Sequence, residues 1–218
     1  QVTSDQRSAQ GLERTFTTNH LAHLLLLGHL ARDLAPGGRI VLTASGVHNA
    51  DEKTGIPPPR HAEARLLAFP ETDSARDPQP GVAGRRAYAA SKLCNVMTGR
   101  ELAKRLSSTR PDIAVATFDP GFNPGTGLAR DYGAIADLLF KTVLPLVIHG
   151  ENVTSPPRSG RALAALVADA AYAAARGNYF SMRNHTLQPR EPSALARDAA
   201  ACAKLWEESQ ALLAEAGF

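Results

Sequence analysis

The chain has 218 residues, 44% of them apolar and 21% charged, with a formal charge of +3. That length can bury one sizeable core, and the composition is that of an ordinary soluble globular protein, which excludes disordered and fibrous classes. The arginines are spread along the chain without a block of like charge, which excludes a nucleic-acid arm or a polybasic membrane patch.

Leu12, Phe16, Leu24, Leu27, Leu30 and Leu34 recur at helical spacing and predict a long amphipathic helix over about residues 10–35, ended by Pro36-Gly37-Gly38. Residues 39–45 are short, β-branched and almost continuously apolar before a polar end, the pattern of a strand covered on both faces of a parallel sheet. Residues 46–84 carry Pro57-Pro58-Pro59, Pro70, Pro78 and Pro80 without periodicity, which predicts a long inserted loop of the kind that forms lids or binding loops. A helix over about 85–107 then leads through Arg110-Pro111 into a second buried strand, 113–118. After a glycine-rich loop over 120–127 come an apolar helical stretch over 135–148 broken by Pro145, and a helix opened by Ser155-Pro156 that runs to about Ala175. Residues 177–182 predict a last strand, and Ser193 caps a final helix through Leu205, Trp206, Leu212 and Leu213 to Gly217. Leu205 and Trp206 suit core or dimer packing, which leaves a homo-oligomer open. Helices alternating with buried strands imply an α/β fold with parallel pairing and right-handed crossovers.

No apolar run approaches the ~20 residues of a membrane-spanning helix. Two cysteines, Cys94 and Cys202, are too few for a disulfide framework, and no charged leader with an apolar core opens the sequence. A reducing, cytoplasmic setting is expected.

The most informative stretch is Tyr88-Ala89-Ala90-Ser91-Lys92. It places an ammonium one helical turn from a phenol, with Ser45 at the end of an upstream strand. A tyrosine titrates near ~10, and a close cation favours the phenolate, which brings the group towards use as a proton donor or acceptor near neutrality. With four tyrosines and five lysines, roughly 0.1 such pairs arise by accident in a chain of this composition, so the context has to carry part of the weight. The blander readings are a surface pair for Tyr88 and Lys92, a turn residue for Ser45 and a helix brace for Asn19. His20 and His23 lie on adjacent turns, but no carboxylate or cysteine joins them at ligand spacing, so packing is expected and no metal. Cys94 suits a small buried hydrophobe.

Asn19-His20-Leu21-Ala22-His23, Ser45, Tyr88-x-x-x-Lys92 and Asp119-Pro120-Gly121, in this order, resemble the short-chain dehydrogenase/reductase family. Residues 11–16 look like the retinol dehydrogenase branch. The stretch 88–95, the loop 126–130, the long insertion before Tyr88 and Lys204-Leu205-Trp206-Glu207 look more like protochlorophyllide reductases. The resemblance implies the C-terminal part of a Rossmann-like, doubly wound parallel sheet with flanking helices, forming one domain over 1–218. It implies Tyr88 as proton donor, Ser45 hydrogen-bonded to the substrate carbonyl, Lys92 on the nicotinamide ribose and Asn19 holding a relay water. It also implies cofactor contacts from Tyr88, Lys92, Pro120, Gly121, Phe122 and Thr126, and a substrate-facing place for Cys94.

The implied activity is that of a nicotinamide-dependent oxidoreductase, with NADP(H) favoured over NAD(H), acting on a hydrophobic carbonyl, alcohol or conjugated double bond. The family's opening strand and T-G-x-x-x-G-x-G turn, which holds the pyrophosphate at a helix N-terminus, do not occur in the 218 residues. An N-terminally incomplete domain is therefore expected. The alternative is a cofactor-free remnant that acts as a binding or oligomerisation module.

Overall fold

The computed structural model describes residues 6–124, 142 and 150–218. Its sheet has four strands in the order β1 (Arg39–Thr43), β2 (Ala114–Asp119), β3 (Arg176–Arg183), β4 (Thr186–Arg190). The first three are parallel, with Thr43, Phe118 and Phe180 in register, and β4 returns antiparallel. The expected α/β architecture is therefore present.

Strand β2 shows why its sequence is continuously apolar. Ala114, Ala116 and Phe118 pack with Ala162, Leu166, Phe180 and Met182 on one face. Val115 packs with Ile40, Leu42, Leu102 and Ile113 on the other. Alternate residues of a strand point to opposite faces, so both layers must be apolar when helices cover both. The covering helices are α4 (Pro80–Thr109) on one face and α5 (Pro156–Ala168) on the other. Gly99 lets α4 lie close to β2, because a Cβ there would meet Thr117 Cγ2 at 2.4 Å.

The first helical region is shorter than expected and interrupted. It consists of α1 (Arg14–Phe16), a π turn over Thr17–Leu21 and α2 (Ala22–Leu30). Gly11 sits at φ +78°, and the Glu13 side chain accepts from the N–H groups of Thr15 and Phe16, so the helix starts there. The inserted loop ends at residue 79, not 84, because Pro80 occupies the first turn of α4, where a missing N–H costs nothing. The loop also holds α3 (Ala64–Ala68), packed in the main core with Leu12, Phe16, Leu21, Leu24, Leu93 and Met97.

Two differences lie near the C-terminus. The hairpin to β4 turns through Asn184 and His185, both at positive φ, a pairing that Asn-Gly usually marks. The final helix is two: Ser193 caps α6 (Ala194–Arg197), and Asp198 caps α7 (Ala199–Glu215). Leu205 is buried in the core, and Trp206 packs beside it under the Arg105 guanidinium at 4.9 Å. The apolar stretch 135–148 lies outside the described residues apart from Thr142. Among the described residues no helix is long and apolar enough to cross a membrane.

Candidate active site

The carboxyl ends of β1 and β2 and the N-terminal half of α4 converge on one cluster. Ser45 lies two residues beyond β1 in extended backbone (φ −167°, ψ 151°) and opens a short 3-10 turn. Its side chain lies beside the Tyr88 phenol from α4, close enough to act on that group's titration. Lys92 is one turn further along α4, its Nζ 5.8 Å from the centre of the Tyr88 ring. Three side chains separated by up to 47 positions in the chain thus meet because β1 ends beside α4.

The electrostatics differ from the sequence expectation. Burial pushes the Tyr88 phenol above its ordinary value, the neighbouring Ser45 side chain opposes this, and the Asp119 carboxylate adds to it. The Lys92 ammonium is pulled down by burial and held up in part by Asp119. Instead of facing the phenol oxygen, Lys92 donates to the Thr43 carbonyl at 3.2 Å. In this arrangement desolvation outweighs the cation, and the expected lowering of the tyrosine is absent.

Asn19 sits inside the π turn, where the Ala22 N–H reaches back to the Thr17 carbonyl. Its Nδ2 donates to Ser91 Oγ at 3.0 Å, and Ser91 Oγ donates to the Tyr88 carbonyl at 2.7 Å. Asn19 is therefore tied to the turn of α4 that carries Tyr88. π turns inside helices occur frequently at functional sites. His20 points the other way, fully into the core, with Nε2 2.9 Å from Ser209 Oγ on α7. His23 is exposed.

The loop after β2 is fixed by its own backbone. Gly121 adopts φ +72°, and a Cβ there would come within 2.7 Å of the Asn152 carbonyl, so glycine is required. Its N–H donates to Asp119 Oδ1 at 3.0 Å. The Pro120 carbonyl accepts from Ser159 Oγ at 2.7 Å, and Phe122 exchanges backbone bonds with Asn152 and Thr154. Thr126 lies outside the described residues. Cys94 is fully buried in the core, where its thiol is pushed well up by desolvation, so it faces apolar neighbours and no open surface.

Beneath the cluster lies a network that sequence reasoning missed. Asp119 Oδ2 accepts from Ser181 Oγ at 2.7 Å and from the Tyr179 hydroxyl at 3.3 Å, and lies 3.5 Å from Arg183 Nη1. Arg183 also pairs with Glu52 at 2.5 Å. His48 braces this group. Its ring packs edge-on against Tyr179 at 5.0 Å, its Nδ1 meets the Ser45 carbonyl at 2.7 Å, and its Nε2 accepts from the Ser193 N–H at 3.3 Å. Asp119-Pro120-Gly121 was the one sequence signal pointing here; nothing local marks Arg183 or Glu52 as its partners. Among the described residues no group of three or more His, Cys, Asp or Glu is arranged to hold a metal.

No family model matches the chain. A protochlorophyllide reductase of Pisum sativum is 31% identical over 216 residues, spanning 94% of this chain and 53% of the relative. Protochlorophyllide reductase B of Oryza sativa subsp. japonica is 29% identical over 98% of this chain and 55% of the relative. The chain is thus similar to protochlorophyllide reductases over nearly its whole length. A protochlorophyllide reductase of Avena sativa, 29% identical, is covered over 68% of its length. The expected resemblance to that branch thus holds across nearly the whole chain, which spans about half the length of the pea and rice proteins. The pea and rice names carry the word chloroplastic, so they lend no support to the expected cytoplasmic setting. A crystal structure of an uncharacterized protein from Mycobacterium paratuberculosis superposes with a TM-score of 0.56 at 24% identity, over 94% of this chain and 60% of that one, which supports the fold.

Proposed function

We propose that this chain carries the proton-donating half of a nicotinamide-dependent oxidoreductase of the short-chain dehydrogenase/reductase type, and that residues 1–218 form one domain of it. The observation that carries the reading is Ser45 set beside the Tyr88 phenol, with Lys92 one turn away at the carboxyl ends of parallel strands. Ligands of open α/β sheets bind in the crevice at such strand ends.

The donor set fits a nicotinamide nucleoside. A half-buried ammonium bonded to a carbonyl, beside a phenol, suits a ribose diol, and the rigid backbone at Pro120, Gly121 and Phe122 suits a carboxamide. When bound, the nicotinamide supplies a hydride. The protein's own share is the proton. Ser45 would hold the substrate oxygen against the Tyr88 hydroxyl, Tyr88 would give up its proton there, and Lys92 would favour the phenolate left behind. Asn19, tied to Ser91, would keep the π turn against α4 and hold a relay water. Thr126 would support the carboxamide. NADP(H) is the favoured cofactor and a hydrophobic, conjugated molecule the favoured substrate, in keeping with relatives named for protochlorophyllide.

The test uses the protein expressed from its complete gene. Replacing Tyr88 with phenylalanine should lower turnover by about a hundredfold to ten-thousandfold and leave the affinity for NADPH, read from nicotinamide fluorescence, within about twofold. Unchanged turnover would overturn the reading. Failure to bind NADPH at any micromolar concentration would favour the second reading, a cofactor-free binding or oligomerisation module. That reading is supported by β1, whose only strand partner among the described residues is β2.

A further inference from the structure

Asn95 lies on α4 one turn beyond Lys92 and is 1% exposed. A buried amide is costly unless both of its ends are paired, so its partners are informative. Its Nδ2 donates to the Thr43 carbonyl at 3.0 Å. The same oxygen accepts from Lys92 Nζ at 3.2 Å. Successive residues of a strand turn their backbone groups to opposite edges, and it is Ala44 whose N–H bonds the Phe118 carbonyl of β2. The Thr43 carbonyl therefore faces away from β2, and its two lone pairs are filled by the two side chains of α4.

The other end of Asn95 meets His20, and His20 meets Ser209. Burial pushes the His20 pKa down to about 3, so the ring is neutral and has a single N–H. The Asn95 amide nitrogen is committed to Thr43, which leaves its oxygen for the ring. His20 lies beside Asn95, with its Nε2 on the Ser209 hydroxyl. The bonded set at the end of β1 is Asn95, the Thr43 carbonyl and Lys92.

We propose that Asn95 is a positioning residue for Lys92, acting by holding the Thr43 carbonyl on which the ammonium rests. This rests on the function proposed above. Lysine is a point charge on a flexible four-carbon stem, so its place relative to Tyr88 is set by what anchors its head. A carbonyl clamped by Asn95 provides a fixed anchor; one released from Asn95 does not. Asn95 itself touches neither phenol nor substrate, and its effect passes through the carbonyl.

The test has three readouts. In the unaltered chain, the Asn95 side-chain NH2 protons should exchange with solvent far more slowly than those of exposed Asn184; equal rates would overturn the proposal without any variant. In Asn95→Leu or Asn95→Ser, checked for folding by circular dichroism, the Lys92 15Nζ resonance should shift relative to the unaltered chain. In the protein expressed from its complete gene, the same variants should lower kcat by about tenfold to a hundredfold, as expected for a misplaced catalytic group. The limb of the pH profile that reports the phenol should move, since the ammonium no longer holds a fixed place beside it. A folded variant with an unmoved Lys92 resonance and an unmoved pH profile would overturn the proposal. That outcome is separate from failure of the underlying reading, which retained turnover in Tyr88→Phe would show.

Discussion

Two polar clusters stand a few residues apart at the carboxyl end of the sheet, and they are built in opposite ways. The Asp119, Arg183, Glu52, Tyr179, Ser181 and His48 group is buried and densely bonded, with charges paired at 2.5 and 3.5 Å and hydroxyls aimed at one carboxylate. The Ser45, Tyr88 and Lys92 group is half-buried and sparsely bonded, with Ser45 beside the phenol and one hydrogen bond from Lys92 to a backbone carbonyl. Saturated networks resist change, because each member would be left unpaired by the loss of another. Groups that must engage a substrate have to keep bonding capacity in reserve. The contrast suits a supporting role for the Asp119 cluster and, under the function proposed above, chemistry for Ser45, Tyr88 and Lys92.

That division can be broken by substitution. Replacing Arg183 with methionine strands the Asp119 carboxylate, 2% exposed, and the partner Glu52 without their shared cation. We expect a loss of about 3–5 kcal/mol in urea unfolding, the usual cost of breaking a buried pair from one side. A loss below about 1 kcal/mol would place that network outside the supporting role.

A smaller effect is expected where the two clusters share a wall. Gly99→Ala drives a methyl into Thr117 on β2, lifting the helix that carries Tyr88 and Lys92. Thermal unfolding should show a loss of about 1–3 kcal/mol. A neutral outcome would mean that α4 is free to shift on the sheet, which the close approach of its backbone argues against.

A further effect is graded with pH, small within any one pH unit. His20 is buried and neutral, with its pKa pushed down to about 3 from an ordinary value of 6.5, mainly by desolvation and also by His23. Below pH 6.5 the unfolded chain takes up a proton that the folded chain refuses, so stability present above that pH is lost as pH falls through the window from 6.5 to about 3. The expected slope within the window is about 1 kcal/mol per pH unit. His20→Gln, which cannot titrate, should flatten it in chemical denaturation series at pH 7, 6, 5 and 4.

Much of this was legible in the sequence because the signals were local. The strand at β1 and the long helix α4 announced themselves by apolar runs and by punctuation at Pro36-Gly37-Gly38 and Arg110-Pro111. Tyr88, Lys92 and Ser45 were found through spacing and position at a strand end, and the structure brings them together. What was not legible depends on contacts across the fold. Strand β4 was missed because His185 stands where a turn glycine would have marked the hairpin, and because Pro189 discourages a strand reading although it is tolerated on an edge. Arg183 and Glu52 are 131 positions apart and carry no shared motif. The direction of the Tyr88 shift was misjudged for the same reason. Spacing shows that a cation is near, but only the packed structure shows that burial dominates and that the ammonium rests on a carbonyl.

The account depends most on Ser45 and Tyr88 acting as one unit on one reacting oxygen, which a double-mutant cycle tests directly. Turnover would be measured for the protein expressed from its complete gene, for Ser45→Ala, for Tyr88→Phe and for the pair together. Residues that work as a unit are strongly non-additive, so the double variant should be little worse than Tyr88→Phe alone. Losses that multiply independently, or a Tyr88→Phe variant that turns over at the original rate, would contradict it.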